Sequence, residues 1–287
     1  MIASKGKIIR RVVALVIPVG VFLSLAACKI DDGPTGLEIT QDQWIDAGGE
    51  CTVPELATPT ERIKGVLDVA VLDSYSTHYL FYPLLNNLLG PLSGQVGGDL
   101  SNVEEKNNIL LKSFKVKLEV ETSAGTSFAW DPECSGEFDV PTATAKLPPQ
   151  GSLAMATEII RPCNAAPLFR LLQAAALEGV PYPTVTVNTT IRAHGSVGST
   201  GISSPPFRFP VDVCYGCLQT GYSDPAAAQV QFPAIPKCSD LTTNPYKGDS
   251  CNPAQDYLVL CCATSVDDNG NATGVECPGV PTSSAGH

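Results

Sequence analysis

Residues 114–121 alternate without a fault: Phe114, Val116, Leu118 and Val120 are apolar, and Lys115, Lys117, Glu119 and Glu121 between them are charged. Successive side chains of an extended chain point to opposite faces, so this run is a strand with one side on a core and the other in water. A chain built on such strands must cover the apolar side with a second layer. Further extended runs are expected at 63–74 (around Leu67, Val69 and Val71), 79–89 (interrupted by Pro83), 127–130, 138–147, 152–160, 184–193 and 207–214, with Gly, Pro and Asn between them. One helix is expected: Asn164 in the capping position, Pro167 in the first turn, good helix formers from Leu168 to Glu178, then Gly179 and Pro181 to stop it. Leu168, Leu171, Leu172 and Ala175 share a helical face that would pack on a sheet. The expected fold is mainly β: an antiparallel β-sandwich of Ig-like, Greek-key type with one short helix, followed by a disulfide-rich irregular C-terminal segment.

The N-terminus sets an address. Lys5, Lys7, Arg10 and Arg11 precede an uncharged, mostly apolar run at 12–25, and Ala26 and Ala27 lead to Cys28. Basic head, apolar middle and small-residue exit make a secretory signal. The run is short of the roughly 20 residues a membrane span needs, and Pro18 and Gly20 interrupt it. Leu25-Ala26-Ala27-Cys28 resembles the lipobox of bacterial lipoproteins. The resemblance implies a diacylglycerol on the Cys28 sulfur, cleavage before that residue and acylation of the new N-terminus. Two or more acyl chains make a stable tether, where one gives only marginal binding. Lys29, rather than Asp, follows the cysteine, which by the same resemblance favours an outer membrane in a cell with two. The expected organisation is a signal at 1–27, a lipidated linker at 28–61, a sandwich at 62–217 and a cysteine-rich segment at 218–287.

Without its first 27 residues the chain has 14 Lys and Arg against 29 Asp and Glu, a balance of −15. Such a surface repels phosphate backbones, so no nucleic-acid partner is expected. The expected partners are the membrane, through lipid on Cys28, and an envelope protein or glycan.

Ten cysteines remain beside Cys28: Cys51, Cys134, Cys163, Cys214, Cys217, Cys238, Cys251, Cys261, Cys262 and Cys277. In an oxidising compartment they read as up to five disulfides, each contributing roughly 2–4 kcal/mol. Roughly 900 pairings are possible. Cys261 and Cys262 have alpha carbons about 3.8 Å apart, closer than an unstrained bridge allows, so they are expected to reach different partners. Zinc is the alternative, with Cys214-Tyr-Gly-Cys217 and Cys261-Cys262 as four thiolates. A redox role for the Cys-x-x-Cys pair is another, although the pair follows a strand instead of opening a helix. Disulfides are the favoured reading, with no metal and no cofactor.

The order of elements, with the phrases Val140-Pro141, Leu147-Pro148-Pro149 and Phe209-Pro210-Val211, resembles the water-stress domain of late-embryogenesis-abundant proteins over residues 63–214. The resemblance implies a binding or structural sandwich with no catalytic residues to carry over. Nothing in the chain matches a hydrolase elbow or a zinc-protease helix. The glycine-rich run Gly195-Ser196-Val197-Gly198-Ser199-Thr200-Gly201 lacks the Lys of a phosphate loop and reads as a long hairpin turn. Ser76 or Ser196 could pair with His78 or His194. Asp267-Asp268-Asn269-Gly270-Asn271 alternates like a calcium loop but lacks its later Gly and Glu, and reads as a surface turn. A non-enzymatic lipoprotein with a binding or structural role in the envelope is therefore expected. The alternatives are a hydrolase on a β scaffold and a small-ligand-binding lipoprotein.

Overall fold

Strand β5 (Ile109–Val120) carries the alternation and runs five residues further back than the periodicity alone marks. Its pairing shifts register between Leu111 and Ser113, so one residue bulges out. The bulge lets Leu111 and Phe114, three apart, both face the core. The computed structural model describes residues 36–45, 51–54, 56–58, 62–70, 77–91, 106–121, 128–218, 237–240, 251–252, 254–258 and 262–267, with the backbone of 272–276.

The fold is mainly β, with sheets packed as a sandwich. The larger sheet has the order β2-β11-β9-β5-β6, from β2 (Gly65–Asp68), β11 (Phe207–Cys214), β9 (Thr184–Val197), β5 and β6 (Glu137–Leu147), and β10 (Thr200–Ser203) pairs with β9. Its pairs are antiparallel except β2 on β11, which is parallel. A three-stranded sheet orders β1 (Leu37–Asp42), β4 (Pro83–Asn87) and β7 (Ser152–Ala154), and β3 (Tyr79–Phe81) pairs with β8 (Thr157–Ile160). One core joins them: Leu37 and Ile39 of β1, Tyr79 and Phe81 of β3, Leu85 of β4 and Ile159 and Ile160 of β8 meet Phe114, Val116, Val187, Ile191, Phe209, Val211 and Val213 of the larger sheet. Phe81 lies between Phe207 and Phe209, with ring centres 5.6 and 5.1 Å away.

Two expected strands each divide in two. The 79–89 run breaks at Tyr82 into β3 and β4, which belong to different sheets, and 152–160 splits into β7 and β8 in the same way. Residues 128–130 form no strand; Phe128 and Trp130 instead meet edge to face, 4.8 Å apart. The glycine-rich run is mostly strand, with Val197 opposite Thr200 across a two-residue turn at Gly198 (φ 55°) and Ser199. Of residues 257–260, Tyr257 and Leu258 are not in a strand and the other two lie outside the described residues; β12 (Cys262–Val266) pairs with β13 (Ala272–Glu276).

The helix α1 (Pro162–Leu177) starts two residues before Asn164, with Arg161 at the N-cap and Pro162 in the first turn. Asn164 is not the cap. It is buried and donates to the carbonyl of Ser135, 3.1 Å away. Leu168 and Leu172 reach the core, whereas Leu171 turns outward and is 42% exposed. Gly179 (φ 88°) ends the helix in a Schellman motif, its N–H bonding Ala176 and that of Val180 bonding Ala175.

The expected linker is the main departure. Residues 37–45 are not a spacer: they form β1 and bury Leu37, Ile39 and Ile45. The C-terminal segment is also drawn in. Ala254 and Asp256 exchange backbone hydrogen bonds with Asp68 and Val66, covering the otherwise open edge of β2. The Gln255 side chain bonds both the N–H (2.8 Å) and the carbonyl (2.6 Å) of Leu80 on β3. One residue thus closes an edge of each layer, which removes two sites of unwanted strand pairing.

Candidate functional site

The described cysteines form four bridges: Cys51–Cys251, Cys134–Cys163, Cys214–Cys217 and Cys238–Cys262. Cys28, Cys261 and Cys277 lie outside the described residues. The four-thiolate zinc set does not assemble, because Cys214 and Cys217 bond each other and Cys262 bonds Cys238. In the loop-entropy account the 200-residue Cys51–Cys251 ring contributes ~5 kcal/mol, the rings of 29 and 24 residues ~3.5 each, and the three-residue ring of Cys214–Cys217 ~2. The long ring ties the two segments outside the expected sandwich to one another.

Beneath that ring lies a charged cluster that the sequence did not single out. Arg62 sits between Asp42 (2.7 Å) and Asp256 (2.5 Å), all three nearly out of water. Its guanidinium lies over Trp44, 4.9 Å from the ring centre, and donates to the Gln43 carbonyl at 3.1 Å. Asp256 also accepts from the Val66 N–H (2.7 Å) and from the buried Tyr79 hydroxyl (2.9 Å). The Tyr82 hydroxyl donates to Asn252. The contact with Asp42 is Coulombic, its angle falling outside hydrogen-bond geometry. Burial pushes the Asp42 carboxyl up to about 7, against the pull of Arg62 and of the Tyr82 N–H. Burial raises Asp256 as well, again opposed by Arg62. Two carboxyls and one guanidinium therefore approach neutrality by holding a proton, which limits the cost of burying them.

Asp68 forms a second buried site. Its carboxylate accepts from the N–H groups of Ala70 (3.0 Å), Gly216 (2.8 Å) and Leu218 (2.9 Å). One of its oxygens and the sulfurs of Cys214 and Cys217 all lie within 4.8 Å of one another. Burial raises this carboxyl, opposed by the Gly216, Ala70 and Leu218 N–H groups.

The histidines were the candidates for nucleophilic chemistry. His194 pairs with Ser203 across β9 and β10, not with Ser196, and its Nδ1 is 2.7 Å from the Ser203 hydroxyl. Burial lowers its proton affinity, opposed chiefly by the charge of Asp139. Asp139 is on β6, and β5 lies between it and β9. Two strand spacings, roughly 10 Å, separate the strands that carry the carboxylate and the ring. Ser76 lies outside the described residues. Glu158, raised by burial, feels the charges of His78 and Arg161. Of Asp267–Asn271, all but Asp267 lies outside the described residues.

On the surface, a groove of about 710 Å³ runs between the start of α1 and residues 131–134, lined by Pro132, Glu133, Pro162 and Ala166, with Asp131 and Arg170 at its rim. Its walls are held by the Cys134–Cys163 bridge, by Arg161 and Asn164 on the Ser135 carbonyl, and by the Asp131–Arg170 ion pair at 3.0 Å. Among the described residues no helix is long and apolar enough to cross a membrane.

No family profile matches the chain. Nor does any curated protein match it.

Proposed function

We propose that the protein is an exported lipoprotein, anchored to a membrane by lipid on Cys28, with a non-enzymatic binding or structural role in the cell envelope. The observation that supports this best is the pairing of all eight described cysteines behind an N-terminus that reads as a lipoprotein signal. Bridges of this number persist in oxidising compartments and are rare in the cytosol. With Lys29 after the lipidated residue, the outer membrane is the destination in a diderm cell. The acidic body stands off anionic lipid, and the groove beside α1 offers a pre-formed contact surface for an envelope protein or glycan. A sandwich with the binding or structural role of the water-stress domain fits this account.

The anchor is tested by Cys28→Ser. The wild-type protein should partition into the detergent phase and the variant into the aqueous phase; equal partition would refute the anchor. The contact surface is tested by a photo-crosslinker at Ala166 in native membranes, which should capture one envelope protein or glycan. Recovery of the uncrosslinked protein alone would rule the groove out.

The 2.7 Å contact of His194 with Ser203 favours a second reading, a hydrolase. A fluorophosphonate probe decides it: labelling at Ser203 that is lost in His194→Ala would establish a nucleophile, and an unlabelled folded protein would exclude one.

A further inference from the structure

Among the four bridges, Cys214–Cys217 is the one whose opening would release almost no chain. Its partners are three residues apart, while the others span 200, 29 and 24. Cys214 is also held by its pairing with Thr184, and its carbonyl accepts from the Val69 N–H at 2.9 Å. The turn at Gly216 (φ 83°) is held from within by Asp68. Holding the turn does not need the bridge.

Asp68 calls for its own explanation. It is a fully buried carboxyl, and the partners found for it are the three N–H groups, not a cation. Two of those three belong to the Cys-Tyr-Gly-Cys turn and to the residue after it. A buried acid with a raised proton affinity thus lies against two sulfurs. Cys214 is fully buried, and Cys217 is partly open to solvent.

We propose that Cys214–Cys217 is a thiol–disulfide exchange site in which Asp68 carries the proton of Cys214. A thiolate from a small or protein thiol attacks the Cys217 sulfur, forming a mixed disulfide, and the bond to Cys214 breaks with its electron pair on Cys214. The Asp68 carboxyl gives that thiolate its proton and is reprotonated from water. A second thiolate attacks the outer sulfur of the mixed disulfide, leaving Cys217 to take a proton from solvent and releasing the oxidised disulfide of the incoming thiols. Two thiols are oxidised and one protein bridge is reduced. In reverse, a disulfide oxidises the pair and Asp68 accepts the Cys214 proton. Metal binding by the same three groups would require the reduced form, and exchange is the step that supplies or removes it.

The test uses the mature protein from native membranes in detergent, equilibrated in buffers of reduced and oxidised dithiothreitol, alkylated, and mapped by peptide mass. Cys214 and Cys217 should become free at a thiol-to-disulfide ratio at least about tenfold lower than any other bridge requires, a gap of about 30 mV for a two-electron couple, with circular dichroism unchanged. Opening together with the other bridges, after them, or only as the fold is lost would overturn the proposal. Asp68→Asn should slow exchange by about tenfold and flatten its pH profile. An unchanged rate and profile would remove Asp68 from the mechanism. Should that variant not fold, the wild-type profile decides: an inflection beyond the attacking thiol's own ionisation supports Asp68, and its absence overturns the role. Free zinc added to the reduced protein is the control. Zinc protection of Cys214 and Cys217 at equilibrium with no exchange in its absence would also overturn the assignment.

Discussion

Arg62 shows how much a single side chain can decide. It lies between two carboxyls that approach from opposite ends of the chain, 20 residues before it and 194 after it. Replacing it with Met keeps much of the volume but leaves Asp42 and Asp256 facing each other without a cation. Breaking a buried pair from one side costs about 3–5 kcal/mol, so Arg62→Met should lose about that much in chemical denaturation at neutral pH. A loss under about 1 kcal/mol would show that the cluster is not buried as described. The same cluster sets a pH dependence. Asp42 titrates near 7 in the folded protein and near 4 in the unfolded chain. Between those values the folded state binds more protons, so stability is highest below the window, falls as pH rises through it, and levels off above. Asp68 and Asp256 shift in the same direction. Unfolding free energy should therefore drop by roughly 2–3 kcal/mol between pH 5 and pH 8 from Asp42 alone, and Asp42→Asn should flatten the slope. Stability that rises with pH over this range would contradict the assignment. None of this cluster was legible in the sequence. Its three members look like ordinary surface charges, and only the fold makes them neighbours.

At the scale of elements, legibility followed the environment of each strand. β11 (Phe207–Cys214) matches its expected limits, β6 starts one residue before its own and β5 five; over Phe114–Val120 and in β11 one face is drier than the other and the period of two survives. β1 was missed because its six residues include Glu38, Thr40, Gln41 and Asp42. The last two are buried polar groups: Gln41 bonds Gln43 and Thr58, and Asp42 accepts from the Tyr82 N–H and pairs electrostatically with Arg62. The start of α1 was misplaced because Asn164 has the chemistry of a cap, but its side-chain oxygen accepts from Arg161 Nε at 3.0 Å and its amide donates to Ser135, next to the Cys134–Cys163 bridge. The lysines of β5 were expected to be merely solvated, yet Lys115 meets Glu137 across the strand pair at 2.6 Å. An isolated pair so exposed adds little. Gly65, at the start of β2, has a packing reason. A side-chain carbon there would overlap the hydroxyl end of Tyr79, which is fully buried and bonded to Asp256. Gly65→Ala should cost about 1–3 kcal/mol through overpacking. In a Tyr79→Phe background the cost should shrink, since the nearest clashing atom is gone. Equal costs in both backgrounds would place the strain elsewhere.

For the whole molecule, parts of both terminal segments join the sandwich, while β12 and β13 pair apart from it. β1 sits in a sheet, Gln255 joins the edges of two sheets, and Cys51–Cys251 ties the segments together. This arrangement would suit a body held by the proposed lipid, since β1 begins nine residues after Cys28 in the sequence. It also makes the oxidised state part of the fold, because the bridge that closes 200 residues forms only where thiols are not kept reduced. Location and architecture are one claim, and intact-mass analysis of the protein from native membranes, alkylated with and without prior reduction, tests both. The account predicts the mass of residues 28–287 plus a diacylglycerol and an acyl chain, and at least eight more alkylated cysteines after reduction than before it. A chain that keeps its first 27 residues, bears no lipid and is alkylated at every cysteine without reductant would contradict it.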